Sequence, residues 1–233
     1  MAEEQTSAPT WLDLYEWRQR VARMYRDREA ALRAGEDPER VFQRFCAAKD
    51  ALFKQHPQSP LTPAQRHAFA GLRYFAYDPA YRVTATIEPE TEDVSQELEA
   101  SGPHTMRFRR AARVRCAVGG TAVVLIVYWI DVYGGGLFLP FRDATSGVET
   151  YGGGRYLFDT VKGSDFVRLD AGVGGSENDA SGAMGYAGGS VLLDFNYAYN
   201  PSCAYDARWV CPLSPPDNRL PLPIRAGELA FHD

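Results

Sequence analysis

The chain has 233 residues, 45% of them hydrophobic, and a formal net charge of −5. Such a length supports one sizeable core with a small helical appendage, and the negative balance argues against a nucleic-acid binder held by phosphate contacts. The one long apolar run, Ala122 to Ile130, is too short to cross a bilayer as a helix. The N-terminus lacks the basic start and apolar segment of a signal peptide, so a cytoplasmic protein without a membrane partner is expected.

Two or three helices open the chain. Thr10 and Asp13 have capping-box spacing, with aspartate in place of the usual glutamate, and Leu14, Trp17, Val21 and Met24 follow at helical intervals. Asp37 caps a second helix, with Pro38 in its first turn and Val41, Phe45, Ala48 and Leu52 on one stripe. Between Trp11 and Lys54 there are 10 basic and 8 acidic residues, so the outer faces read as solvated. Thr62 and Pro63 start a short third helix that is expected to end at Gly71.

After Gly71 the hydrophobic period changes from 3.6 to 2, first in "YRVTATI". The segment Glu88 to Glu99 holds six acids and no base and reads as a solvated loop. Strands are expected near 105–118, 121–131, 136–140, 154–158, 165–170 and 190–195, with a last one over "LPIRA". No helix of useful length separates them, which speaks for antiparallel pairing. The expected class is mainly β: an antiparallel curled sheet or barrel of seven or eight strands with two or three N-terminal helices. Residues 1–71 would form a helical segment packed on the sheet, and 72–233 the barrel or roll with an irregular C-terminal tail.

One hairpin can be read in detail. Gly119-Gly120 suits a two-residue turn, which pairs Val118 with Thr121, Cys116 with Val123, Val114 with Leu125 and Ala112 with Val127. Continuing the count sets Arg110 against Trp129 and Phe108 against Asp131, leaving Arg110 and Asp131 as opposite charges on an otherwise apolar face. Three accounts fit: an interior ion pair, a bulge near Arg110 that turns it outward, or a barrel interior in which Arg110 faces an anionic ligand. The first and third both require an Arg110–Asp131 contact.

Two late segments carry most of the remaining polar chemistry. "FLPFRDATSGVETYGGGRYLF" holds Asp143, Glu149, Tyr151 and Arg155; the tail from "VLLDFN" onward holds Asp194, Asn196, Tyr199, Asn200 and Arg219. The glycines of the first are not spaced as a nucleotide-binding loop and read as a tight turn. Cys203 and Cys211 stand eight apart, unlike a zinc knuckle, and the histidines lie outside both segments, so no metal and no cofactor are expected. A Cys203–Cys211 disulfide would close a plausible loop, although a reducing compartment disfavours it. Cysteine nucleophilic catalysis lacks a nearby histidine base. Proline, asparagine and the rings of Tyr197, Tyr199 and Tyr205 also suit a tail that only ties the fold or plugs one end of the sheet.

If the two segments converge, the site holds a small anionic or polyhydroxylated molecule between arginine and amide groups. Arg110, Asp131, Asp143, Tyr151, Asn196, Tyr199, Asn200 and Arg219 would line it. In a catalytic version Asp194 or Glu149 carries the proton and Arg155 clamps developing charge. The competing readings are a structural or protein-interaction module and a carrier of hydrophobic cargo. Neither enzyme status nor oligomeric state is decided.

"FRDATSGVETYGGGRYL", "LDFNYAYNPSCAY" and "CPLSPPDNRLPLPIRAGE" together resemble the bacterial and archaeal family known as domain of unknown function 1684. The resemblance runs from about Trp17 to Glu228 and is strongest after Phe138. It is carried by Asp143, Thr145, Gly147, Tyr151, Gly154, Arg155 and Tyr156. It continues through Asp194, Phe195, Asn196, Ala198, Tyr199, Asn200, Pro201, Cys203, Cys211, Pro212, Asn218 and Leu220 to Ile224, Ala226, Gly227 and Glu228. Ser214 and Asp217 depart mildly from the usual proline and glutamate, and "AGVGGSENDASGAMGYAGG" looks like a glycine-rich insertion. The resemblance implies no activity.

Overall fold

The computed structural model describes residues 9–103, 105–164, 169–170 and 188–232. The chain divides into two compact units, Met1–Gly71 and Leu72–Asp233.

The first unit is helical. Helix α1, Trp11–Arg33, starts in the expected capping box, with Thr10 and Asp13 bonding each other's backbone reciprocally. Helix α2, Pro38–Gln55, is capped by the Asp37 side chain, which accepts from the Arg40 N–H. Their apolar stripes meet through aromatic contacts: Tyr25 packs edge-on against Phe45 at 5.0 Å and Trp17 against Phe53 at 5.7 Å. Helix α3 spans only Pro63–Ala68, shorter than the expected run to Gly71. Phe69 already has extended backbone there, and its N–H bonds back to Arg66.

The second unit is an eight-stranded antiparallel sheet: β1 Arg82–Pro89, β2 Ser95–Glu99, β3 Thr105–Val118, β4 Thr121–Ile130, β5 Leu137–Phe141, β6 Arg155–Asp159, β7 Leu169–Asp170 and β8 Ser190–Asp194. Its order is β6-β5-β4-β3-β1-β8-β7, with β2 also on β3. The described strands leave the sheet open, so the curled-sheet alternative holds and the barrel does not. No strand forms over "LPIRA"; that stretch is irregular. The glycine-rich 171–189 segment lies outside the described residues except for its last two. Among the described residues no helix is long and apolar enough to cross a membrane.

The hairpin β3–β4 forms around Gly119 and Gly120, whose φ values of 56° and 78° suit a tight turn that side chains disfavour. The register matches the expected one from Val118–Thr121 to Ala112–Val127, then slips by one residue between Ala112 and Arg110. Arg110 therefore faces Tyr128, Arg109 faces Trp129 and Phe108 faces Ile130. Of the three accounts of Arg110 the bulge is the one found, and the expected Arg110–Asp131 pair is corrected. Arg110 instead bonds Asp217 at 2.7 Å and Gln96 at 3.3 Å, while Asp131 bonds Arg109 at 2.8 Å.

The slip moves β3 from one face of the sheet to the other. Val114 and Val118 pack with Leu125, Leu139, Phe141, Phe195 and Ile224. Phe108 packs with Ile126, Tyr128, Phe138, Tyr156 and Tyr199 in a second apolar cluster. Even-numbered residues of β3 thus enter one core on the turn side of the slip, at Val114 and Val118, and the other core beyond it, at Phe108.

The acidic segment Glu88 to Glu99 is not a solvated loop. Its last five residues are β2, paired with Thr105–Arg109. Its acids answer the arginines of β3: Glu88 meets Arg115 at 2.6 Å, Glu90 meets Arg113 at 3.2 Å, and Asp93 meets Arg109. The Glu88–Arg115 and Asp93–Arg109 pairs are exposed and worth little each. They do neutralise what would otherwise be a basic stripe.

Candidate functional site

Of the expected site residues, Asp143, Arg155, Asn196, Tyr199 and Asn200 are buried, and Tyr151 belongs to a separate, partly exposed cluster. A buried scaffold centres on Arg155, the first residue of β6, only 1% exposed. Its Nη2 donates to Asp143 Oδ2 at 2.7 Å and to the Ile224 carbonyl at 2.8 Å. Its Nη1 donates to the carbonyls of Ala226 and Glu228, and the guanidinium lies over the Phe141 ring. Asp143 accepts as well from Thr145 N–H at 2.6 Å and from the Thr145 hydroxyl, which meets Thr150 at 2.9 Å. The "DATSG" motif is therefore a folded turn whose aspartate anchors the arginine.

The tail closes over this arrangement. Glu228, 1% exposed, accepts from Asn200 N–H at 2.9 Å and from the Tyr205 hydroxyl at 2.6 Å. Asn196 exchanges bonds with Asp78 and takes Asp194 Oδ1 at 2.9 Å. Asp194 also lies 3.6 Å from Arg82, and Glu149 is held by Arg225 at 3.0 Å. The Tyr199 hydroxyl meets Ser164, and Arg219 is exposed beside Arg142. Arg155 bonds Asp143 and tail carbonyls, Asp194 lies by Arg82 and Asn196, and Glu149 is held by Arg225, so each of the three has its own protein partners. With both Nη groups of Arg155 committed to the chain itself, the expected anion clamp is a structural tie.

Asn218 was not among the expected site residues, yet it is fully buried. Strands β4 and β5 pair only at Tyr128–Phe138 and Trp129–Leu137. Where Pro140 has no N–H to offer, the Asn218 amide enters instead. It accepts from Ile126 N–H at 2.7 Å and donates to Ile126 O at 2.9 Å and to Pro140 O at 2.7 Å.

The partly exposed cluster surrounds Cys203. The residue sits in a 3-10 turn, Ser202–Ala204, that starts after Pro201. Cys211 Sγ accepts from the Cys203 N–H at 3.4 Å. Cys211 itself is fixed alongside the end of β2: its N–H donates to Ser101 Oγ at 3.0 Å, and its carbonyl accepts from Ser101 N–H at 2.9 Å. The Tyr151 hydroxyl meets Cys203 Sγ at 3.5 Å. Lys162, in the turn after β6, bonds Ser202 Oγ at 2.8 Å. Cys203 is half-buried and Cys211 is buried, both as free thiols. Among the described residues no group of three histidines, cysteines or acids stands together as a metal site.

This setting splits the two thiols. Cys203 is pulled down to about 6, first by the hydrogen bond from Cys211, then against burial by Tyr151, Ser101 and the charge of Lys162. Cys211 is pushed up, by its bond to Cys203 and by burial. Burial likewise raises Tyr151 and the neighbouring Tyr156, so both stay protonated. The pair thus loses its first proton from the more accessible sulfur and holds the second.

Gly153 makes room for this. A Cβ there would lie 2.5 Å from Tyr151 Cε1 and 3.2 Å from Leu213 Cδ2. A Gly153→Ala variant is expected to push Tyr151 off Cys203 and raise the midpoint of Cys203 alkylation, read by mass spectrometry across pH. An unchanged midpoint would show that the tyrosine contributes nothing. Sequence reasoning had Tyr151 in the site but neither Lys162 nor Ser101. These three come from separate stretches with no local spacing to link them to Cys203.

The second unit is an open antiparallel sheet tied by a buried arginine, with two free thiols in the tail beside Ser101. The chain belongs to the family described as "Protein of unknown function (DUF1684)", whose model matches residues 67–229. The chain is similar to an uncharacterized protein of Haloarcula marismortui solved by NMR. The identity is 33%, over 84% of this chain and 95% of that one, with a TM-score of 0.56. A comparison with curated proteins gave no match.

Proposed function

We propose that the protein handles a small polar or anionic electrophile through the Cys203 thiolate, with Lys162 supplying the positive charge that the ligand meets. One observation carries this reading: the half-buried Cys203 has the Cys211 sulfur and the Tyr151 phenol against it, and the Lys162 ammonium on the adjacent Ser202 hydroxyl. The expectation of small-molecule recognition is kept, but its centre moves from Arg155 to Cys203. Asp194 and Glu149 have no part in it, since each is already engaged by an arginine. The scaffold of Asp143, Arg155 and Glu228 holds the turn and the tail that deliver Tyr151 and Cys203.

Rate alone is a poor test. A thiol that titrates near 6 has about 30-fold more thiolate at neutral pH than an ordinary one. Intrinsic nucleophilicity falls by about tenfold over the same shift, which offsets most of the gain. The pH profile is decisive instead. Labelling of Cys203 by iodoacetamide is expected to rise through a midpoint of about 6 and then level off. An ordinary thiol keeps rising to about pH 8.5. Anionic iodoacetate is expected to gain on neutral iodoacetamide at Cys203, and Lys162→Met to abolish that preference. A midpoint in the ordinary range would overturn the proposal, as would equal treatment of the two reagents.

A further inference from the structure

We propose that Cys203 and Cys211 form a reversible dithiol–disulfide couple that reduces a hydroperoxide, with Cys203 as the attacking sulfur and Cys211 as the resolving one. This rests on the reading of Cys203 as the reactive thiol and adds the oxidant class and a second reacting residue.

Accessibility assigns the roles. Cys203 is half-buried and the more open of the two, whereas Cys211 is 5% exposed and shielded. Reactivity at the open position and protection at the closed one are what a two-cysteine site needs. Proximity is built in as well. Cys211 Sγ already touches the Cys203 N–H, and its own backbone is pinned on both sides to Ser101. Cys203 lies in a single 3-10 turn that can shift without breaking a strand. In a reducing compartment such a pair rests as thiols and passes through the disulfide only in turnover.

The steps balance. The Cys203 thiolate attacks the hydroxyl oxygen of the hydroperoxide; the S–O bond forms, the O–O bond breaks, and the leaving alkoxide takes a solvent proton. Cys211 sulfur then attacks Cys203 sulfur, displacing hydroxide, which leaves as water with the Cys211 proton. The two thiols are oxidised by two electrons and the peroxide is reduced by two. A thiol reductant restores both thiols by exchange.

The probe is hydrogen peroxide on the full chain, with peptide mapping under non-reducing conditions. The wild-type protein is expected to lose about 2 Da in a Cys203–Cys211 crosslink that dithiothreitol reverses. Cys211→Ser is expected to accumulate a sulfenic acid on Cys203 that dimedone traps, and Cys203→Ser to give neither product. With excess dithiothreitol the wild type should consume several equivalents of peroxide beyond the uncatalysed background, and the Cys203→Ser variant none. Over-oxidation of Cys203 without a crosslink overturns the inference, and so does a crosslink to Cys46 or Cys116 instead. If the alkylation midpoint nonetheless stays near 6, only the resolving role and the oxidant class fall. A midpoint in the ordinary range removes the thiolate reading itself.

Discussion

An Arg155→Met variant is expected to destabilise the sheet unit by about 3–5 kcal/mol, because it strands the Asp143 carboxylate without its partner. The side chains of the pair are 1% and 0% exposed, so water cannot take over the lost bonds. Three tail carbonyls, on Ile224, Ala226 and Glu228, lose their donors as well. With a urea dependence of roughly 1–3 kcal/mol/M, the unfolding midpoint should fall by about 2 M. A second variant separates charge from shape. Adding Asp143→Asn to Arg155→Met removes the orphaned charge and leaves an amide oxygen for Thr145, so part of the loss should return. If the single variant unfolds like the wild type, Arg155 is not the tie described here. Should the double variant be worse than the sum of the singles, burial of an uncompensated charge is not the cause.

Asn218→Ala is the second large effect, expected at about 3–5 kcal/mol and again read from the urea midpoint. The asparagine partners three backbone groups that β4 and β5 do not pair with one another across Pro140. A buried backbone group left without a partner costs about 1–3 kcal/mol, and local relaxation keeps three such losses from adding fully. Asn218→Asp is a sharper probe because it has the same shape. Its carboxylate still accepts from Ile126 N–H but opposes two carbonyl oxygens, so it should be as harmful as alanine at neutral pH. Acidification should relieve it, since a protonated carboxyl regains one donor. A neutral effect of both substitutions would mean that the strands close on each other without the amide.

How much of this was legible in the sequence varies with distance along the chain. The hairpin turn and its first pairs follow from two glycines and a period of 2, and the helix starts follow from Thr10, Asp37 and Thr62. The register slip beside Ala111 does not follow, because what holds Arg110 after the slip is Asp217, a partner 107 residues away. Strand β2 was hidden by its own charges. Acids in a row look like a solvated loop until the arginines of β3 are known to lie opposite.

The site divides in the same way. Arg155 stands among carboxylates and amides, which suits a clamp on a ligand equally well as a clamp on the chain. Only the path of Ile224 to Glu228 decides which oxygens its N–H groups meet. Cys203 and Cys211 were weighed against zinc and disulfide spacing. Their chemistry depends on Lys162 and Tyr151, which arrive from the other end of β6 and from the preceding turn.

The extra residue in β3 has a further consequence. A single uninterrupted strand supplies side chains to two separate interiors, so neither can melt while the other keeps that strand in place. The sheet unit should therefore come apart in one step, with the aromatic signals of Phe108 and Tyr128 disappearing together with amide protection around Val114.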